Sequence, residues 1–329
     1  MPNEIEGEAE KLTQYWRIRD TQLLADRDII NLIKPQAETT DKVRWRTNEP
    51  KVFYDTATAL LSSYQPRFRL HLSINFTDEE KQKMNKAERF LLGIFRQLDR
   101  RQMNRGQGYW LRELAYWILS GWYSVFNVVQ QGKDGVEFIA DLWDPITVYP
   151  EWTNNKLTKC IRTYETDKRS ALMMASDFYN RGLKFEFIEP KDEDKPKVIN
   201  YWRNDRGKIY NAIMLGGQVI KDITEEKNFD HIPIEVGTVG IPEKTSADWQ
   251  LRIGENIIAS ARDMFEYENT MTTLMATILA ETAYPNIVTF TESGVPAVKA
   301  EEVKKGYGNV LALRLRDRIE LLKHASTPE

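Results

Sequence analysis

A single cysteine, Cys160, stands among 329 residues, so no disulfide can close within the chain. That composition fits a reducing compartment, or a fold that needs no cross-link. Histidine is almost as scarce. His71, His231 and His324 lie far apart, without the spacing of metal ligands, and read as surface or strand residues. No apolar run approaches the eighteen or so residues of a membrane span, and the acidic start (Glu4, Glu6, Glu8, Glu10) is not a signal peptide. No membrane partner is therefore expected. An excess of one charge is also missing: the net charge of −3 argues against a strongly basic duplex-binding surface. Neither a phosphate loop of the Gly-x-x-x-x-Gly-Lys-Ser/Thr kind nor a serine nucleophile elbow is present. Internal repeats and low-complexity tracts are absent as well. With no catalytic constellation and no cofactor motif, an enzyme is the weaker class, and no cofactor is expected.

What the chain does have is enough apolar content, 41%, for one large or two ordinary domains. Its most distinctive stretch is again defined by an absence. From Gly254 to Ala283 no proline or interior glycine occurs, and the run reads as one helix of about thirty residues. At about 1.5 Å per residue it would span roughly 45 Å, against about eleven residues for a typical globular helix. Ile253, Ile257, Ile258, Ala261, Met264, Phe265, Met271, Met275, Ile278 and Leu279 recur along one stripe. Charge is confined to the first half (Glu255, Arg262, Asp263, Glu266, Glu268), and only Glu281 follows. Two arrangements suit such a helix: burial against several neighbours in a ring or bundle, or a central place inside one domain.

The remaining elements are legible in order. Residues 5–33 read as a helix burying Leu12, Trp16, Leu23, Ile30 and Ile33, stopped before Pro35. Asn48-Glu49-Pro50 opens a second helix expected to bury Val52, Phe53, Ala57, Leu60, Leu61 and Tyr64. Phe68, Leu70, Leu72 and Ile74 alternate with polar residues as in a half-buried strand. Thr77-Asp78-Glu79-Glu80 is a capping box for a third helix to about Arg101. A fourth helix, 109–120, precedes a hairpin turning at Gly132-Lys133-Asp134-Gly135. A strand near 157–164 and a helix over 168–181 follow. A charged linker, 189–197, then separates a second β-rich unit of strands at 198–202, 208–215 and 219–223. His231-Ile232-Pro233-Ile234 is extended, and 285–290 and 310–322 read as strands after the long helix. The chain stops directly after a strand, which suggests that the biological chain continues.

Chemistry-bearing residues are few. Asp141 and Asp144 flank a turn beside Trp143, where turn formation is the ordinary role and a metal or acid–base pair the sharper one. Glu255 is the third carboxylate that a hydrolase reading would recruit. Arg96, Arg100, Arg101 and Arg105 cluster at the end of the third helix, suited to its terminal carbonyls or to phosphate or subunit contact. Lys299, Lys304 and Lys305, then Arg314, Arg316 and Arg318, form a second basic group, either a solvated face or a nucleic-acid or subunit contact.

The order of these features resembles a family. Trp45-Arg46-Thr47-Asn48-Glu49-Pro50-Lys51-Val52-Phe53-Tyr54-Asp55-Thr56-Ala57 is similar to the N-terminal helix of tailed-bacteriophage portal proteins. Asp141-Leu142-Trp143-Asp144-Pro145-Ile146-Thr147-Val148-Tyr149-Pro150 resembles their strand and turn. Residues 198–202 with the hairpins and His231-Ile232-Pro233-Ile234 resemble their β-rich segment. Gly254-Glu255-Asn256 through Ala283-Tyr284-Pro285 resembles their long helix, and 308–322 the strands after it. The resemblance spans nearly the whole chain but lacks the usual C-terminal part.

It implies an α+β fold with a portal-like wing, a β-rich clip and a long stem helix. The wing-like region would be 1–190, the clip or wing hairpins 191–252, the stem-type helix 253–284, and 285–329 a strand and loop segment leading to the missing C-terminal part. It implies a structural, non-enzymatic subunit of a homo-oligomeric ring, normally a dodecamer, at the capsid vertex of the virion, assembled in the host cytoplasm. Double-stranded DNA would pass through the ring during packaging and ejection. Further partners would be the packaging terminase, a tail adaptor and the major capsid protein. Candidate subunit contacts are Ile257, Met264, Met271, Met275 and Ile278; candidate DNA-channel residues are Lys299, Lys304 and Lys305. The alternatives are another capsid-associated adaptor or structural protein, and a carboxylate-dependent hydrolase.

Overall fold

The computed structural model describes residues 2–33, 47–63, 77–132, 135–153, 156–183, 185, 189–191, 195–239, 254–283, 287–291 and 310–314. It is a mixed α+β protein that divides into two units: residues 1–33 with 49–260, and residues 34–48 with 261–329. The strand expected at 68–74 and all of 315–329 lie outside the described residues.

The larger unit is organised by a five-stranded antiparallel sheet, in the order β3(Val148–Thr153), β4(Lys156–Glu165), β5(Lys197–Asp205), β6(Lys208–Leu215) and β7(Gln218–Glu225). Because β4 pairs with β5 (Ile161 opposite Tyr201, Cys160 opposite Trp202), the charged linker at 189–197 lies between two strands of one sheet. It does not separate a second β unit. Side chains alternate across each strand. Tyr149, Ile161, Ile199, Tyr201, Ala212 and Met214 cluster with Ile5, Ala9 and Leu12 of α1(Pro2–Tyr15), Leu23 of α2(Arg17–Ile30), and Trp16 between the two helices. Cys160 and Trp202, on the other face, cluster with Trp143, Ile232 and Ile234, while Val198 and Leu215 meet Ala171 and Ala175 of α6(Lys168–Asn180).

The single helix expected over 5–33 is two helices meeting at Trp16. Its ring is fully buried, and its indole N–H donates to the Pro150 carbonyl at 2.9 Å. Beside it lies the pair of buried Arg19 and half-buried Asp20. The guanidinium stacks on Trp16, Trp122 and Tyr149 and donates to the Val148 carbonyl at 3.1 Å.

A second antiparallel sheet orders β2(Gly135–Trp143), β1(Trp122–Gly132) and β8(Ile234–Thr238). The extended segment after His231 thus returns to the first hairpin, with Ile234 opposite Phe126. Two helices pack near it, α4(Asp78–Asn104) and α5(Trp110–Leu119), through Leu98, Trp110 and Val125. The capping box expected at Thr77 is present: the Glu80 N–H donates to the Thr77 hydroxyl, and the Thr77 N–H to the Glu80 carboxylate.

α3(Glu49–Ser63) packs on α5, with the Tyr54 hydroxyl donating to the Tyr116 carbonyl at 2.5 Å. Its orientation differs from expectation. Pro50, Tyr54 and Thr58 are its buried positions, whereas Val52, Phe53, Leu60 and Leu61 are exposed.

The smaller unit contains α7(Arg262–Ala283) and a parallel pair, β9(Ile287–Thr291) with β10(Val310–Arg314). The long helix is therefore shorter than expected, starting at Arg262 and not at Gly254. Gly254 has φ +93°, outside the helical region, and the amides that follow are engaged elsewhere. Glu255 donates to the Val239 carbonyl at 3.2 Å and Ile257 to the Leu119 carbonyl at 3.0 Å; a 3-10 turn over Ala259–Ala261 leads into the helix.

Candidate subunit interface

α7 carries its polarity the unusual way round. Among the described positions, its half-buried residues are Arg262, Phe265, Glu268, Asn269, Thr272, Thr273, Ala276 and Thr277, a face of small and polar groups except for the one phenyl ring. Thr270 and Thr277 donate their hydroxyls to carbonyls of their own helix, Glu266 and Thr273, at 2.9 and 2.8 Å. Asn269 accepts the Thr47 backbone N–H at 2.8 Å, a contact within the smaller unit.

The large apolar side chains point the other way. Met264 is 71% exposed, Met275 60% and Ile278 61%, and Tyr267, Met271, Leu274 and Leu279 share this face. Taking about 200 Å² for a fully exposed large side chain, these seven present on the order of 800 Å². Soluble monomers seldom leave so large a contiguous apolar patch uncovered, and it matches the area of about 800 Å² that each partner contributes to a standard interface. Acidic residues lie at the helix start, where Asp263 suits the positive end of the dipole. From Asn269 to Leu279 the helix has no charge at all.

Of the residues singled out from sequence, Met264, Met271, Met275 and Ile278 all lie on this exposed face, and Ile257, 38% exposed, precedes the helix. Ile258, from the same stripe, is fully buried, and Phe265 is half-buried. Tyr267 and Leu274 belong to the exposed face but were missed; a strict helical count from Met264 would have found both. Lys299, Lys304 and Lys305 lie outside the described residues.

The carboxylates are occupied by arginines. Asp144 forms a two-pronged pair with Arg27, at 2.8 and 2.5 Å, and accepts the Ile146 N–H at 3.0 Å as the cap of a 3-10 turn. Asp141 pairs with Arg105 at 3.0 Å and lies 3.4 Å from Arg101, which also binds Glu137 at 2.8 Å. Two arginines of the α4 cluster thus fasten the helix end to β2. Glu255 is exposed. Among the described residues no three histidine, cysteine or carboxylate side chains come together as a metal site, and no helix is long and apolar enough to cross a membrane. Cys160 is completely buried, and that burial pushes its thiol pKa up. His231 is exposed beside Asp230, whose carboxyl it holds below the usual range by a hydrogen bond.

The chain matches no protein-family model and no curated protein sequence.

Proposed function

We propose that the chain is a subunit of a homo-oligomeric ring of the tailed-phage portal kind, a passive conduit for double-stranded DNA at the capsid vertex. The observation that carries this reading is the outward apolar face of α7, which needs another protein surface to cover it. The portal-like order of sequence features supplies the kind of assembly. Under this reading α7 is the stem-type helix. The hairpins of β5–β7 share one sheet with β3 and β4, which supports a wing built together with its hairpins as one body. Near-neutral overall charge suits a conduit, because dense phosphate pairing would hold DNA instead of letting it slide. Lys299, Lys304 and Lys305 are its proposed points of brief phosphate contact. Terminase, tail adaptor and capsid protein would be its partners, with hydrolysis of nucleotide left to the motor.

Native mass spectrometry and negative-stain imaging of the purified full-length chain test the reading. The expected result is a closed cyclic oligomer with a central channel. Monomers alone at micromolar concentration would overturn it.

A further inference from the structure

The exposed stripe on α7 has a counterpart in the other unit. Val52, Phe53, Leu60 and Leu61 of α3 are 50–62% exposed, and on the helix they fall within one half of its circumference. That periodicity is the pattern of a buried face, yet within one chain the helix buries Pro50, Tyr54 and Thr58 instead. We infer that the α3 face is the acceptor for the α7 stripe of a second copy, so that copies join head to tail. This rests on the ring reading and names the surface that each α7 meets.

Three observations favour this pairing. The first is charge. Glu49, Lys51 and Asp55 sit in the first half of α3 and Asp263, Glu266 and Glu268 in the first half of α7. Thr56–Ser63 and Asn269–Leu279 carry none, so the parts of the two faces around Leu60 and Leu61 and from Met271 to Leu279 can meet without burying an unpaired ion. The second is area. The α3 face presents on the order of 400 Å², which with the α7 stripe approaches the roughly 1,200 Å² at which specific interfaces begin. The third is number. A two-fold pair uses one self-complementary patch, whereas a head-to-tail ring uses two different ones. Pairing α7 with α7 would leave the α3 face bare, and pairing α3 with α7 covers both. Met264, Met271 and Met275 are flexible enough to follow the irregular surface of a partner.

The test uses two full-length variants of different tag length, Leu60→Cys and Leu274→Cys, mixed and treated with a short bismaleimide. Both positions are exposed and Cys160 is enclosed, so folding and background labelling are little affected. The expected product is a mixed dimer joining the two lengths, and a chain carrying both changes gives a ladder of higher multimers. Intact rings that cross-link only Leu274→Cys to itself, or not at all, overturn the pairing and leave the ring reading standing. Absence of any assembly in the parent chain overturns both.

Discussion

A Cβ atom placed on Gly254 would lie 1.9 Å from the indole nitrogen of Trp122. The two backbones meet here because Gly121, just before Trp122, is equally tight: a Cβ there would sit 2.4 Å from the Gly254 carbonyl oxygen. Gly254→Ala therefore faces both a collision with a buried ring and a φ of +93°. Overpacking and strain together should cost about 3 kcal/mol or more. Gly182→Ala is the control, since its φ is +84° with open space around it, and should cost only about 1 kcal/mol. Denaturant unfolding of both variants checks the difference.

The pair of Arg19 and Asp20 behaves as a buried cation with a half-buried carboxylate, both largely removed from water. Burial, its largest cause, lowers the arginine pKa, and burial likewise raises that of the aspartate, each partly offset by the other. Asp20→Ala leaves a guanidinium enclosed by Trp16, Trp122 and Tyr149 without its carboxylate. The expected loss is about 3 kcal/mol. Arg19→Met combined with Asp20→Ala should recover most of it, because no unpaired ion remains. Equilibrium unfolding of the single and double variants decides this, and equal losses in both would refute the argument.

Glu113 supplies a pH signature. Burial raises its carboxyl pKa above the usual carboxylate range, with a 2.9 Å hydrogen bond from the Gln102 amide acting in the opposite direction. A raised folded-state pKa favours the protonated fold, so its contribution is full at low pH and is lost as pH rises through the folded pKa. Glu113→Gln should accordingly raise the melting temperature at pH 7, and the gain should shrink as the buffer is taken down through the carboxylate range. A gain independent of pH would mean that ionisation is not its source.

Met275→Glu probes the α7 face directly. The side chain is mostly exposed, so the fold of the single chain should shift by no more than about 0.5 kcal/mol. Assembly should weaken at least about tenfold, because each interface would have to bury a carboxylate. Circular dichroism and native mass spectrometry separate the two effects. Unchanged assembly would exclude this face from the interface.

Features with local causes were readable from the chain. The capping box at Thr77 and Glu80, the hairpin turn before Gly135 and the helix stop at Gly182 each depend on a few adjacent residues. The apolar stripe from Met264 to Ile278 was equally plain, since periodicity alone reveals that a helix has an apolar face. What periodicity does not contain is which neighbour covers that face. Tertiary structure decided that α3 buries Tyr54 and turns Leu60 and Leu61 out. It also joined Arg27 to Asp144, 117 positions along the chain, and brought β8 back to β1. Glu255 and Ile257 lie in a stretch that reads as helix, yet their amides are held by Val239 and Leu119. Such hydrogen bonds between distant segments exist only after the chain has closed on itself, so no window of sequence around either partner carries them.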